Sequence, residues 1–229
     1  MPANSSELAR IATARGSGAT RGGSVPLPCR MSERTIDAHY RDPLDEVWLA
    51  TAARCGLRVV RSDEVFAAYD GAGTLTLSTA EHFDADDSLA QLVLHELCHA
   101  LVQGDASLAL PDFGLDNRSE RDLPAEHACH RLQAALLIPH GLRHVLAPTT
   151  VHRAYYDALP DDPLAAGDID AAGDVAHRNV LSAARAGFER ATRGAWAEPL
   201  AEALAATASL ARIARAFGGE TSLWRRARE

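Results

Sequence analysis

An α+β fold is what this sequence predicts, and three observations carry the prediction. Strand-like segments, "LRVVRS" and "FAAYDGAGTLTLST", sit together in one block instead of alternating with helices. Helical periodicity flanks that block, and the second half of the chain reads as helix and loop. The chain has 229 residues, 47% of them hydrophobic and 24% charged, which is the composition of a globular protein able to bury a sizeable core.

Residues 1–30, "MPANSSELARIATARGSGATRGGSVPLPCR", lack large apolar groups and read as a disordered tail with no signal-peptide apolar region. A first domain is expected over residues 31–160 and a helical region over 161–229. "DPLDEVWLATAAR", residues 42–54, predicts a helix with Pro43 early, Val47, Leu49, Ala50 and Ala53 available for burial, and a stop at Gly56. The strands follow, the last two joined by an Asp70–Gly73 turn into a hairpin that puts Leu75 and Leu77 on one face. A small antiparallel sheet is therefore expected. The central helix begins at Ser88, which with Gln91 fits a capping box, and stops at Gly104. A polar loop covers 105–122, and a second helix runs from Pro124 to Ile138, closed by Pro139. A short helix near 150–158 and two Ala-rich helices, about 168–192 and 196–217, complete the list of expected elements.

"LVLHELCHALVQG", residues 92–104, sets the functional question, because His95, Glu96 and His99 interrupt a helix that is otherwise apolar on every side. Burying such groups without partners costs about 1–3 kcal/mol each on mutational scales. A metal ion removes the conflict. On a helix, residues four apart differ by about 40° in azimuth and one turn in height, so the two imidazoles can meet one ion. Glu96 lies about 100° round from His95, placed to reach a metal-bound water without ligating the metal. This is the HExxH arrangement, two zinc ligands and a general base.

Zinc needs a third protein ligand and an open position. "LPAEHACHRLQAALLIP" offers Glu126, 27 residues beyond His99, as the first choice; His130 and Glu120 stay open as alternatives. His130, one turn beyond Glu126, is also a candidate catalytic group, either orienting the glutamate or serving the reaction itself. His127 faces elsewhere. The plain reading of Glu126 is an acid favouring the positive end of a helix.

The order of helix, strand, hairpin, "AQLVLHELCHAL" and "EHACHRLQAALLIP" resembles the ImmA/IrrE family of minimal gluzincin metallopeptidases, over about residues 42–140. The family pattern after HExxH is similar to E-x-x-A-N-x-F-A-A-x-L-L-M-P. The resemblance implies a zincin-like core, His95, His99 and Glu126 as ligands, and Glu96 as base. Cys129 and His130 stand where Ala-Asn is usual, Leu132 and Gln133 where Phe-Ala is usual, and the chain after Pro139 departs from the family.

The chemistry implied is zinc-assisted hydrolysis of a peptide or amide bond, with Glu96 taking the proton of the attacking water and passing it to the leaving amine. An oxyanion donor is sought among His130, Arg131, His140, His152, Tyr155 and Tyr156. Cys98 and Cys129 lie within a turn of the ligands, either as small buried hydrophobes or as a redox-sensitive pair. Every basic residue is arginine, so Schiff-base and P-loop chemistry are excluded. A net charge of −8 argues against nucleic acid or an anionic membrane as partner. Few cysteines and no apolar stretch of spanning length predict a cytoplasmic protein with a protein or peptide substrate. A zinc-stabilised regulatory module that binds a protein partner through its C-terminal helices is the alternative.

Overall fold

The computed structural model describes residues 37–116, 120–165 and 175–227. The tail expected at 1–30 lies outside these residues, and so does the start of the helix expected from 168. Residues Tyr40–Glu229 form one compact unit.

Helix α1 (Pro43–Arg54) starts where Asp42 accepts the N–H of Leu44 at 2.8 Å, with Pro43 in the first turn, where a missing N–H does no harm. Its buried face is Leu44, Trp48, Thr51 and Ala52, with Val47 and Leu49 partly buried beside it and Ala50 and Ala53 exposed, because Trp48 points inward and sets the rotation of the helix. Strands β1 (Arg58–Ser62), β2 (Ala67–Tyr69) and β3 (Thr74–Ser78) follow. Asp70 holds the hairpin turn, its Oδ1 accepting the N–H groups of Ala72 at 2.7 Å and Thr74 at 2.8 Å.

The sheet is mixed, not antiparallel. Its order is β1-β3-β2, with β2 antiparallel to β3 and β1 parallel to it. β3 takes the centre because it carries Leu75 and Leu77, both fully buried, while β1 has no fully buried residue and β2 only three residues. The most buried strand thus has neighbours on both sides.

Helix α2 (Leu89–Gln103) is capped by the Ser88 hydroxyl, which accepts the Gln91 N–H at 3.1 Å, and ends at Gly104, whose φ of 85° suits glycine. Three 3₁₀ turns, Asp105–Ala109, Pro111–Gly114 and Glu120–Asp122, fill the expected loop before α3 (Leu123–Leu137). Then come α4 (Arg153–Asp157), α5 (Val175–Arg193) and α6 (Ala197–Phe217). The division expected near residue 160 does not divide the core. Val180, Ala184, Leu200 and Leu204 belong to the same cluster as Trp48, Leu94 and Leu132. At Gly187 α5 comes so close that a Cβ would lie 2.9 Å from Leu132 Cδ2 and 3.3 Å from Val102 Cγ2. Among the described residues no helix is long and apolar enough to cross a membrane.

Candidate metal centre

From Leu89 to Val102 every residue of α2 is buried except Glu96, which is partly exposed. An apolar helix packed by α1, α3 and α5 has no solvated side, so His95 and His99 are only 5% and 8% exposed. Helix α3 brings Glu126 over them from its first turn. His95 Nε2 lies 3.1 Å from His99 Nε2 and 3.5 Å from Glu126 Oε1, while Glu126 Oε2 is 3.2 Å from His99 Nε2. Ligands bonded at about 2.0–2.2 Å to one tetrahedral ion stand about 3.3–3.5 Å apart. The donor set and its spacing fit a divalent cation. Two imidazole nitrogens facing each other at 3.1 Å also need a proton or a cation between them.

Electrostatics agree with that demand. Burial works against a charge on His95, yet the Glu126 carboxylate outweighs it and lifts the imidazole to about 9. Burial also opposes the charge of Glu126, but His130, His95 and His99 together hold its carboxyl far below the usual carboxylate range. Glu96 is raised, chiefly by burial, with His99 and His95 pulling the other way.

The cleft at the centre has a volume of about 290 Å³, and His95, Glu96, His99 and Glu126 all line it. Phe66, Ala67 at the start of β2 and the turn residues Asp112 and Phe113 also line it, as do Thr149 and Thr150. Asp112 (φ 47°) and Phe113 (φ 55°) are consecutive left-handed residues, a conformation that disfavours side chains with a Cβ. Their contacts hold them there: Asp112 Oδ1 accepts the Tyr69 N–H at 2.9 Å, and the Phe113 ring stacks on Tyr69 with centroids 4.3 Å apart.

His130 occupies another place than a catalytic group would. It is fully buried, its Nε2 is 3.0 Å from Glu126 Oε1 and 3.3 Å from Thr150 Oγ1, and it does not line the cleft. Burial lowers it to about 4 despite the carboxylate beside it, so near neutrality it is an uncharged imidazole packed against Glu126. His95, Glu126 and His130 also form a group close enough to share an ion, which keeps His130 geometrically near the centre. None of Arg131, His140, His152, Tyr155 and Tyr156 lines the cleft either. Arg131 is buried whole, donating to Tyr155 Oη at 2.6 Å and to the Pro163 carbonyl at 2.7 Å. Tyr156 donates to the Arg143 carbonyl at 2.8 Å, and His127 stacks on Tyr155 at 3.7 Å. These side chains are absorbed in packing. The side chain of Glu120 lies outside the described residues.

Cys98 and Cys129 are buried free thiols that contact each other. Burial raises the Cys129 thiol well above its ordinary range. Its Sγ sits 3.6 Å from His95 Nδ1, on the side of the ring away from the Nε2 that meets His99 and Glu126. His95, His99 and Cys129 are near enough to form a second metal-holding group, but Glu126 is the partner on the cleft side. Sequence reasoning missed Gln133, whose Oε1 is 3.0 Å from His95 Nδ1. A signal was present: a wholly buried glutamine inside "LQAALL" is as anomalous as the histidines of α2.

Compared with family models, curated proteins and solved structures, the chain matches none of them, so its resemblance to the ImmA/IrrE metallopeptidases rests on the motifs alone.

Proposed function

We propose that the protein is a zinc metallopeptidase of ImmA/IrrE-like type, acting in the cytoplasm on a peptide or protein substrate. The observation that carries this reading is the convergence of His95 Nε2, His99 Nε2 and the Glu126 carboxylate, 3.1–3.5 Å apart, on the cleft that Glu96 also lines. When bound, zinc supplies Lewis acidity, polarising a carbonyl and making water nucleophilic near neutral pH. The chain does the rest. Glu96 takes the proton of the attacking water and delivers it to the leaving amine, and its burial moves its proton affinity towards the working pH. His130 keeps Glu126 oriented from behind. The three described cysteines, all buried free thiols, suit a reducing compartment.

The second reading, a zinc-stabilised module that binds a protein, is favoured by α6, where Ile213 is 60% and Phe217 86% exposed. Metal analysis together with proteomic peptide-library cleavage separates the two. The peptidase requires one zinc per chain, retained by Glu96→Gln and lost from His95→Ala, with cleavage falling by about 10²–10⁴-fold in Glu96→Gln. Zinc without cleavage in the unmodified protein favours the module, and absence of zinc overturns both.

A further inference from the structure

We propose that Gln133 is a positioning residue that fixes the tautomer of His95, presenting the lone pair of Nε2 to the metal. This rests on the metal reading above but concerns a residue outside the ligand set.

The inference follows from which atoms can donate. Gln133 is fully buried on α3, one turn before its end, and its carboxamide spans two partners. Its Nε2 lies 2.8 Å from the main-chain carbonyl of Leu146, and its Oε1 lies 3.0 Å from His95 Nδ1. A carbonyl oxygen only accepts, so the amide nitrogen must face Leu146; the reversed amide would set two oxygens against each other. Gln133 Oε1 is thereby committed to His95, and an acceptor there requires Nδ1 to carry the proton. A neutral imidazole protonated at Nδ1 has its lone pair on Nε2, the atom 3.1 Å from His99 Nε2 and 3.5 Å from Glu126 Oε1.

Cys129 does not compete for this role. Its thiol donates to the His95 carbonyl at 3.5 Å, which leaves sulfur beside Nδ1 only as a weak second acceptor. His99 provides the contrast, since its buried Nδ1 has no hydrogen-bond partner among the described residues. His95 is the histidine whose Nδ1 proton is held in place, so that Nε2 is the nitrogen left to the ion. Gln133 stands at a position where the resembling family carries alanine, so the device belongs to this chain.

Three substitutions test it. Gln133→Met keeps the length of the side chain but removes the amide; Gln133→Glu, held as the neutral acid by burial, still donates to Leu146 and accepts from His95; Gln133→Ala removes both. Zinc affinity, measured by competition with a chromophoric chelator, is expected to fall about 10–100-fold in Gln133→Met and Gln133→Ala and to recover in Gln133→Glu. Nitrogen-15 NMR of imidazole provides a second readout in the zinc-loaded protein: a hydrogen-bonded Nδ1–H of His95, shifted upfield in Gln133→Met. Equal zinc affinity and an unchanged Nδ1–H signal in a folded Gln133→Met protein overturn the proposal while leaving the metal reading intact. Failure of the unmodified protein to bind zinc overturns the metal reading itself. If Gln133→Met does not fold, Gln133→Glu decides: loss of affinity in that folded variant overturns the proposal.

Discussion

Where α1 meets α6, Trp48 donates its indole N–H to Thr207 Oγ1 at 3.0 Å, and Thr207 in turn donates to the Ala203 carbonyl at 2.8 Å. Where α2 meets α3, the buried polar groups end differently: Gln91 Nε2, His99 Nδ1, Glu126 Oε1 and His130 Nδ1 are the buried side-chain atoms with no hydrogen-bond partner among the described residues. Both seams lie deep in one core. One closes its hydrogen-bond account locally, as buried polar groups ordinarily do. The other leaves four such atoms unpaired, and one of them, Glu126 Oε1, faces the point shared by the Nε2 atoms of His95 and His99, where a cation would supply the missing partner. The first seam serves folding, and the second gives up folding energy at a group of side chains that could hold a metal ion.

The largest expected effect tests the first seam. Trp48→Ala removes a fully buried indole and is expected to cost about 3–5 kcal/mol, read from urea unfolding. A negligible loss would mean that the α1–α6 seam is not structural. Thr207→Val is the finer cut, leaving the indole N–H without an acceptor at nearly constant volume; about 1–3 kcal/mol is expected from the same measurement.

The third test probes the second seam through pH. In the metal-free protein the carboxyl of Glu126 is held below its ordinary 4.5, so its contribution to stability is present above that value and disappears as pH falls. His95 is raised from 6.5 to about 9, so its contribution is complete below 6.5 and lost as pH rises through about 9. Stability of chelator-treated protein should therefore decline between pH 6.5 and about 9, and zinc, which replaces the proton on His95, should abolish the decline. A metal-free protein whose urea midpoint is flat across that range would break the comparison.

These differences explain what the sequence made legible. Caps and stops are local chemistry, so Ser88, Gly104, Pro43 and the Asp70–Gly73 turn could be read directly. The pairing of His95 with His99 is equally local, one helical turn. Glu126 required a second helix to return, and its place 27 residues beyond His99 on a predicted helix made it the first choice, with His130 and Glu120 left open. The parallel pairing of β1 with β3 was hidden because strand order depends on which strand buries both neighbours, and nothing within "LRVVRS" encodes that. Rotation of α1 depended on Thr207, 159 residues away, and the contact of Gln133 with His95 on the crossing of α2 and α3. His130 was assigned a catalytic part for the same reason: periodicity puts it on the face of Glu126 without saying whether that face meets solvent or core.

The close approach of α5 at Gly187 has a consequence for the growing chain. His95, Glu96, His99 and Glu126 are all encoded before residue 127, but the apolar backs of α2 and α3 around Val102 and Leu132 stay uncovered until α5 has been translated. A nascent polypeptide still on the ribosome thus carries the whole motif without its enclosure, and a recombinant fragment ending at Pro139 would be left with the same sticky flank. The shortest fragment that keeps this core closed extends through α6.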